Sequence, residues 1–133
     1  MFDKLYTQCN DSLDLPFGSK EKAVLIAETA FAKKARNIMI LELENLTIIS
    51  DFFVICTADS SPQIKAIVDD VEERLLGTLG MKPLGIDGQS YDRWVVMDYG
   101  DVIFHVFDEE KRNFYELEKL WLDAPRIALP FTE

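Results

Sequence analysis

Two aspartates set two residues apart, Asp98 and Asp101, and a lone histidine, His105, are the side chains whose types and spacing first suggest chemistry. If Tyr99-Gly100 forms a two-residue hairpin turn, the two carboxylates lie directly opposite each other, where like charges repel. Three uses compete for such a pair. The carboxylates accept hydrogen bonds from backbone N–H groups of the turn, meet basic groups of a macromolecular partner, or hold Mg²⁺ for phosphoryl transfer. The single imidazole excludes a metal site built from histidines, and acid–base work by His105 would need a carboxylate beside it. A strand histidine and an interface contact are its other readings. The nucleophile elbow, the P-loop and the dinucleotide-binding glycine pattern are all missing from the sequence. The acids Glu42, Glu44, Asp69, Asp70, Glu72, Glu73, Asp108, Glu109 and Glu110 read most simply as a solvated surface.

The elements that must position these groups follow from periodicity. Ser19 suits an N-cap, and Ala23 to Arg36 reads as a helix, with Val24, Ala27, Phe31 and Ala35 near one side. Ile38 to Glu44 is a strand. Phe52 to Ala58 is a second, apolar on both faces and so expected in the middle of a sheet. Ser61-Pro62 starts a helix whose Ile64, Ile67, Val68, Val71 and Leu75 form one buried stripe, and Gly80 ends it. Met81 to Ile86 is expected as an edge strand because it carries Pro83. A polar loop, Asp87 to Asp92, follows. Arg93 to Asp98 and Asp101 to Phe107 form a hairpin, and Lys111 to Leu122 a last helix with Phe114, Leu117 and Trp121 on one side. The order α-β-β-α-β-β-β-α describes a single α/β (mixed α+β) domain over residues 19–123. It is a mixed sheet of about five strands with three packed helices, preceded by an arm (1–18) and followed by a short tail (124–133).

Pairing 98 with 101 sets 96 against 103 and 94 against 105. One hairpin face then carries Trp94, Val96, Asp98, Asp101, Ile103 and His105. The other carries Arg93, Val95, Met97, Val102, Phe104 and Val106 and should lie against helices. The first mixes an aromatic, an imidazole and acids, which suits a partly wet face that receives a partner. The competing reading is that Trp94 completes a second core layer.

The chain has 133 residues, 48% hydrophobic and 29% charged, enough for a core without disulfides or metal. Acidic residues outnumber basic ones 24 to 14, a net charge of −10. Free nucleic acid and anionic membranes are poor partners for such a chain; a basic protein is a better one. Cys9 reads as exposed and Cys56 as a buried, reduced thiol. The N-terminal residues lack the pattern of a signal or transit peptide, and a cytoplasmic location is expected.

Four collinear segments carry a resemblance. Trp94 to Phe107 (WVVMDYGDVIFHVF) resembles the W-[IV]-[IVL]-[IVLM]-D-x-G-D-[IV]-[IV]-x-H-[VL]-[FM] core of the ribosomal silencing factor, or Iojap, family. Ser50 to Thr57, followed by Ser60-Ser61-Pro62-Gln63, is similar to its strand and helix start. Pro83 to Gly88 resembles its edge segment, with Asp87 where many relatives carry Glu. Arg112 to Trp121 resembles its closing helix. The resemblance implies a nucleotidyltransferase-like fold, although the carboxylate arrangement of those enzymes is missing. It also implies a non-enzymatic role without a cofactor: binding ribosomal protein fourteen on the large ribosomal subunit, blocking subunit joining and damping translation when nutrients are short. Trp94 and Tyr99 are the expected aromatic anchors. Asp87, Asp98 and Asp101 are the expected partners of Lys or Arg, and His105 is placed at the same interface. The alternatives are a metal-dependent nucleotidyl- or phosphoryl-transfer enzyme and a homo-oligomeric interaction module, including a homodimer.

Overall fold

Sequence periodicity and the tertiary fold agree on the order of three α-helices and five strands among the described residues. A computed structural model describes residues 18–88 and 93–133. Residues 1–17 of the expected arm (1–18), with Cys9, and residues 89–92 of the expected polar loop lie outside the described residues. The elements are α1 (Ser19–Ala32), β1 (Arg36–Glu42), β2 (Phe52–Ala58), α2 (Ser61–Leu79), β3 (Gly85–Asp87), β4 (Trp94–Asp98), β5 (Val102–Asp108) and α3 (Glu109–Tyr115), then a 3₁₀ turn (Leu117–Trp121). The five strands form one mixed sheet in the order β1-β2-β5-β4-β3. Only β2 and β5 run parallel; the other three pairs are antiparallel.

Every residue of β2 is buried, as a strand apolar on both faces requires. On one side of the sheet α1 and α2 cover Val54, Cys56, Val95, Met97, Val102, Phe104 and Val106. The α2 stripe of Ile64, Ile67, Val68, Val71 and Leu75 is wholly buried there. Cys56 is a free thiol, and burial pushes its pKa up to about 12. Gly80 ends α2 in the left-handed region (φ 67°), where glycine carries no Cβ penalty. On the other side a smaller cluster forms from Leu41, Leu43, Phe53, Ile55 and Phe107, capped by Leu117, Trp121 and Ala124.

Several boundaries differ from the sequence expectation. The cap of α1 is Gly18, whose N–H donates to the Glu21 carboxylate at 3.0 Å. Ser19 is already helical, and its hydroxyl is drawn to Asp101 instead (2.6 Å). Lys34, at φ 70°, stops the helix early, so Arg36 opens β1 rather than closing α1. Ser60, not Ser61, caps α2, accepting from the Gln63 N–H. Pro83 lies outside the edge strand, which is the short β3.

The expected final helix is two elements, because Glu116 adopts φ 46° and breaks it. Leu117 and Trp121 turn inward while Phe114 stays exposed. The last segment, expected as a tail, is docked along β1. Ile127 N–H donates to Ile40 C=O (3.0 Å), Phe131 stacks on Phe31 (4.3 Å between ring centres), and the Glu133 carboxylate accepts from Asn37 and Ile38 N–H groups, each at 2.7 Å.

Candidate functional site

The β4–β5 hairpin builds the site, and its turn is not the expected one. Tyr99 pairs with Val102, its N–H donating to Val102 C=O at 2.9 Å, so the two central residues are Gly100 and Asp101. Of these only Gly100 has a positive φ (88°), the type II′ pattern, which favours glycine at the first central position. Asp98 fixes this choice by accepting from the Gly100 N–H at 2.7 Å. The strands therefore pair Asp98 with Ile103, Val96 with His105 and Trp94 with Phe107. The partner strand has moved by two residues from the expected register. A two-residue slip preserves side-chain parity, so the expected division of the hairpin into two faces survives.

Trp94, Val96, Asp98, Ile103 and His105 do share one face, away from α1 and α2. Asp87 joins them, because it pairs with Val96 across β3–β4. Four of the six candidate residues (Asp87, Trp94, Asp98 and His105) are thus brought together. The other two are not. Tyr99 is buried in the core on the helix side, and burial, reinforced by the charge of Glu72, pushes its phenol up to about 12. Asp101 turns to α1, where it accepts from buried Lys22 at 2.7 Å and from Ser19 at 2.6 Å. Burial alone would raise its carboxyl pKa, but these two hydrogen bonds hold it below the ordinary carboxylate value. Asp98 and Asp101 therefore do not face each other as a metal-holding pair.

Within the shared face Trp94 is half-buried. Its ring lies 4.9 Å from Phe107 and 4.6 Å from Tyr115, and its indole N–H donates to Nδ1 of His105 at 3.3 Å. His105 is 6% exposed and packs 4.8 Å from Phe53. Burial lowers its pKa to about 4, so the imidazole is neutral near pH 7. With Nδ1 accepting, Nε2 carries the proton, and that buried donor has no partner among the described residues.

What remains open is an apolar centre of Trp94, Val96 and Ile103, all partly exposed, rimmed by half-buried Asp98 and exposed Asp87. Beside it, Arg93, Trp94, Lys111 and Tyr115 line a depression of about 380 Å³. Arg93 is engaged by Asp108 (2.8 Å) and Glu110, and Lys111 sits 5.8 Å from the Tyr115 ring. Sequence reasoning missed Tyr115 and Lys111. Their signal was two adjacent aromatics, Phe114-Tyr115, which one helix stripe cannot bury together. It also missed Gly88, whose φ is 91° and where a Cβ would sit 2.1 Å from the Trp94 carbonyl oxygen. Only glycine lets the end of β3 pass this close to Trp94. Among the described residues no group of three or more His, Cys, Asp or Glu is gathered for a metal, and no helix is long and apolar enough to cross a membrane.

The comparisons with known proteins bear on the whole of this domain. The sequence model of the family described as "Ribosomal silencing factor during starvation" matches residues 16–133. A Bacillus subtilis protein, ribosomal silencing factor RsfS, is 37% identical over 99 residues, covering 74% of this chain and 83% of that one. A Halalkalibacterium halodurans protein of the same name is 38% identical over 97 residues, covering 73% and 82%. The crystal structure of a Chromobacterium violaceum protein superposes with a TM-score of 0.76 at 28% identity, covering 87% of this chain and 95% of that one. The tryptophan-centred hairpin, the edge strand closed by Gly88 and the α3 segment all lie within the matched span, and the chain belongs to the ribosomal silencing factor family.

Proposed function

We propose that this protein represses translation by binding the large ribosomal subunit through ribosomal protein fourteen and sterically blocking subunit joining when nutrients are short. Membership of the silencing-factor family supports a ribosomal target. The observation that carries the docking mode is the open sheet face, where half-buried Trp94 lies beside Val96 and Ile103 within an acidic rim of Asp87 and Asp98. A net charge of −10 works against contact with bare RNA but steers encounter with a basic protein surface.

Trp94 has the traits of an anchor: a large ring held by its own neighbours and still partly open to solvent. Asp87 and Asp98 supply carboxylates for Lys or Arg at the rim. Tyr99 is too deeply buried on the other side of the sheet to touch a partner here, and Asp101, turned to α1, serves the interface by positioning its neighbours. The role needs no bond making or breaking. A bound body with a radius of gyration of about 14 Å occupies space the small subunit requires.

The test is sedimentation of purified large and small subunits with added protein. The expected result is loss of joined particles once the large subunit is saturated. Undiminished joining at saturation overturns the proposal.

A further inference from the structure

The connection between β1 and β2 places three apolar side chains in solvent: Leu46 (44% exposed), Ile48 (104%) and Ile49 (63%). Branched aliphatic side chains at a loop tip gain nothing from water, and here the backbone beneath them is ordered. Leu43 C=O accepts from the Leu46 and Thr47 N–H groups (3.0 and 3.2 Å), and the Ile49 N–H donates to Thr47 Oγ1 at 3.1 Å. The base of the loop is fastened to the β4–β5 turn. The single carbonyl of Asp101 accepts from Asp51 N–H, Phe52 N–H and Ser50 Oγ, at 2.9, 3.1 and 2.8 Å. The Asp101 carboxylate is itself held by Lys22 and Ser19. The tip therefore stands at the end of the sheet where Asp98 and Ile103 lie, with Phe53 in register with Ile103.

We infer that the Leu46–Ile49 tip is a second anchor of the docking surface, and that the partner presents an apolar depression bordered by Lys or Arg. The inference rests on the proposed function and extends that face to the end of the sheet. Its occupant follows from charge. Residues 43–51 carry two acids, Glu44 and Asp51, and no base, so the tip is unsuited to RNA phosphate or an anionic lipid surface and suited to a basic protein. A preformed loop also loses little conformational freedom on binding, which favours its use as an anchor. Asp101 on this account is a positioning residue, holding the loop through its backbone and the turn through its side chain.

The experiment measures binding of the full chain to purified large subunits for wild type, Trp94→Ala, an Ile48→Asp/Ile49→Asp double variant and Leu76→Asp. Aspartate keeps the acidic character, so any loss reports the apolar contact. Leu76 lies on α2, on the other side of the sheet. The double variant is expected to bind at least tenfold more weakly with an unchanged thermal midpoint, and Leu76→Asp to bind as wild type. Binding of the double variant within twofold of wild type, while Trp94→Ala binds poorly, overturns the inference and leaves the proposed function standing. Failure of wild type to bind removes both. If the double variant instead abolishes self-association of the free protein and leaves subunit binding intact, the tip belongs to a second copy of this chain and the inference is overturned.

Discussion

The indole N–H of Trp94 donates to Nδ1 of His105 across 3.3 Å, and this bond fixes the imidazole in its neutral, Nε2-protonated form. A protonated His105 carries hydrogen on both nitrogens and accepts nothing, so its charge state and the setting of Trp94 are linked.

Burial holds His105 near a pKa of about 4, below the 6.5 of an unstructured chain. The unfolded chain therefore binds the proton more readily between these values, and stability falls as pH drops through this window. The full effect is on the order of 3 kcal/mol. Asp101 and Asp108 also have lowered pKa values, but their stabilisation is lost only below pH 3.8, which separates the two windows. Urea midpoints at pH 7.5 and pH 5 should differ in wild type and agree far more closely in His105→Phe; equal pH sensitivity in both would remove His105 as the cause.

Docking should cover Trp94. Trp121 is the other tryptophan, so the measurement needs a Trp121→Phe background. Acrylamide quenching of the remaining fluorescence is expected to drop when large subunits are added. In the same background Asp98→Lys should weaken binding about tenfold by placing like charge against a basic partner. Unchanged quenching in a mixture shown to be bound places the interface elsewhere.

Arg112 is buried, and one of its terminal nitrogens donates to Asn37 C=O at 3.0 Å and Thr57 Oγ1 at 2.8 Å while Nε faces Glu118 at 3.3 Å. Lysine cannot reproduce this fork of donors. Arg112→Lys is expected to cost about 2 kcal/mol, and Arg112→Ala more, because the buried Thr57 hydroxyl and the part-buried Asn37 carbonyl lose their partner. Chemical denaturation measures both; an Arg112→Lys change under about 0.5 kcal/mol, the range of ordinary surface substitutions, counts against the account.

Gly88→Ala puts a methyl group against the Trp94 carbonyl at a positive φ. The expected cost is about 2 kcal/mol or more, with loss of β3–β4 pairing. Amide exchange at Met97 and Ile86, which pair across these strands, should quicken well before exchange in β2. Uniform exchange across the sheet would show that the strain is relieved without unpairing.

Much of this architecture was legible in the residues. The stripe of α2, the buried run of β2 and the parity of Trp94, Val96, Asp98, Ile103 and His105 are set by periods of 3.6 and 2, which any local stretch of chain displays. The acidic balance was equally plain. Less legible were the turn and its consequences. Both Tyr99-Gly100 and Gly100-Asp101 fit a hairpin by spacing, and only the positive φ of Gly100 with the Asp98 bond selects the second.

Sequence alone determined which residues share a face, because alternation survives a slip of two. Tertiary structure decided which of them remain there. Asp101 leaves for Lys22, 79 positions away, and Tyr99 enters the core under the helices. Glu116 breaks the last helix, with Leu117 and Trp121 then packed over the sheet. Each of these outcomes depends on a contact between distant segments, and no local pattern records the free energy of such a contact.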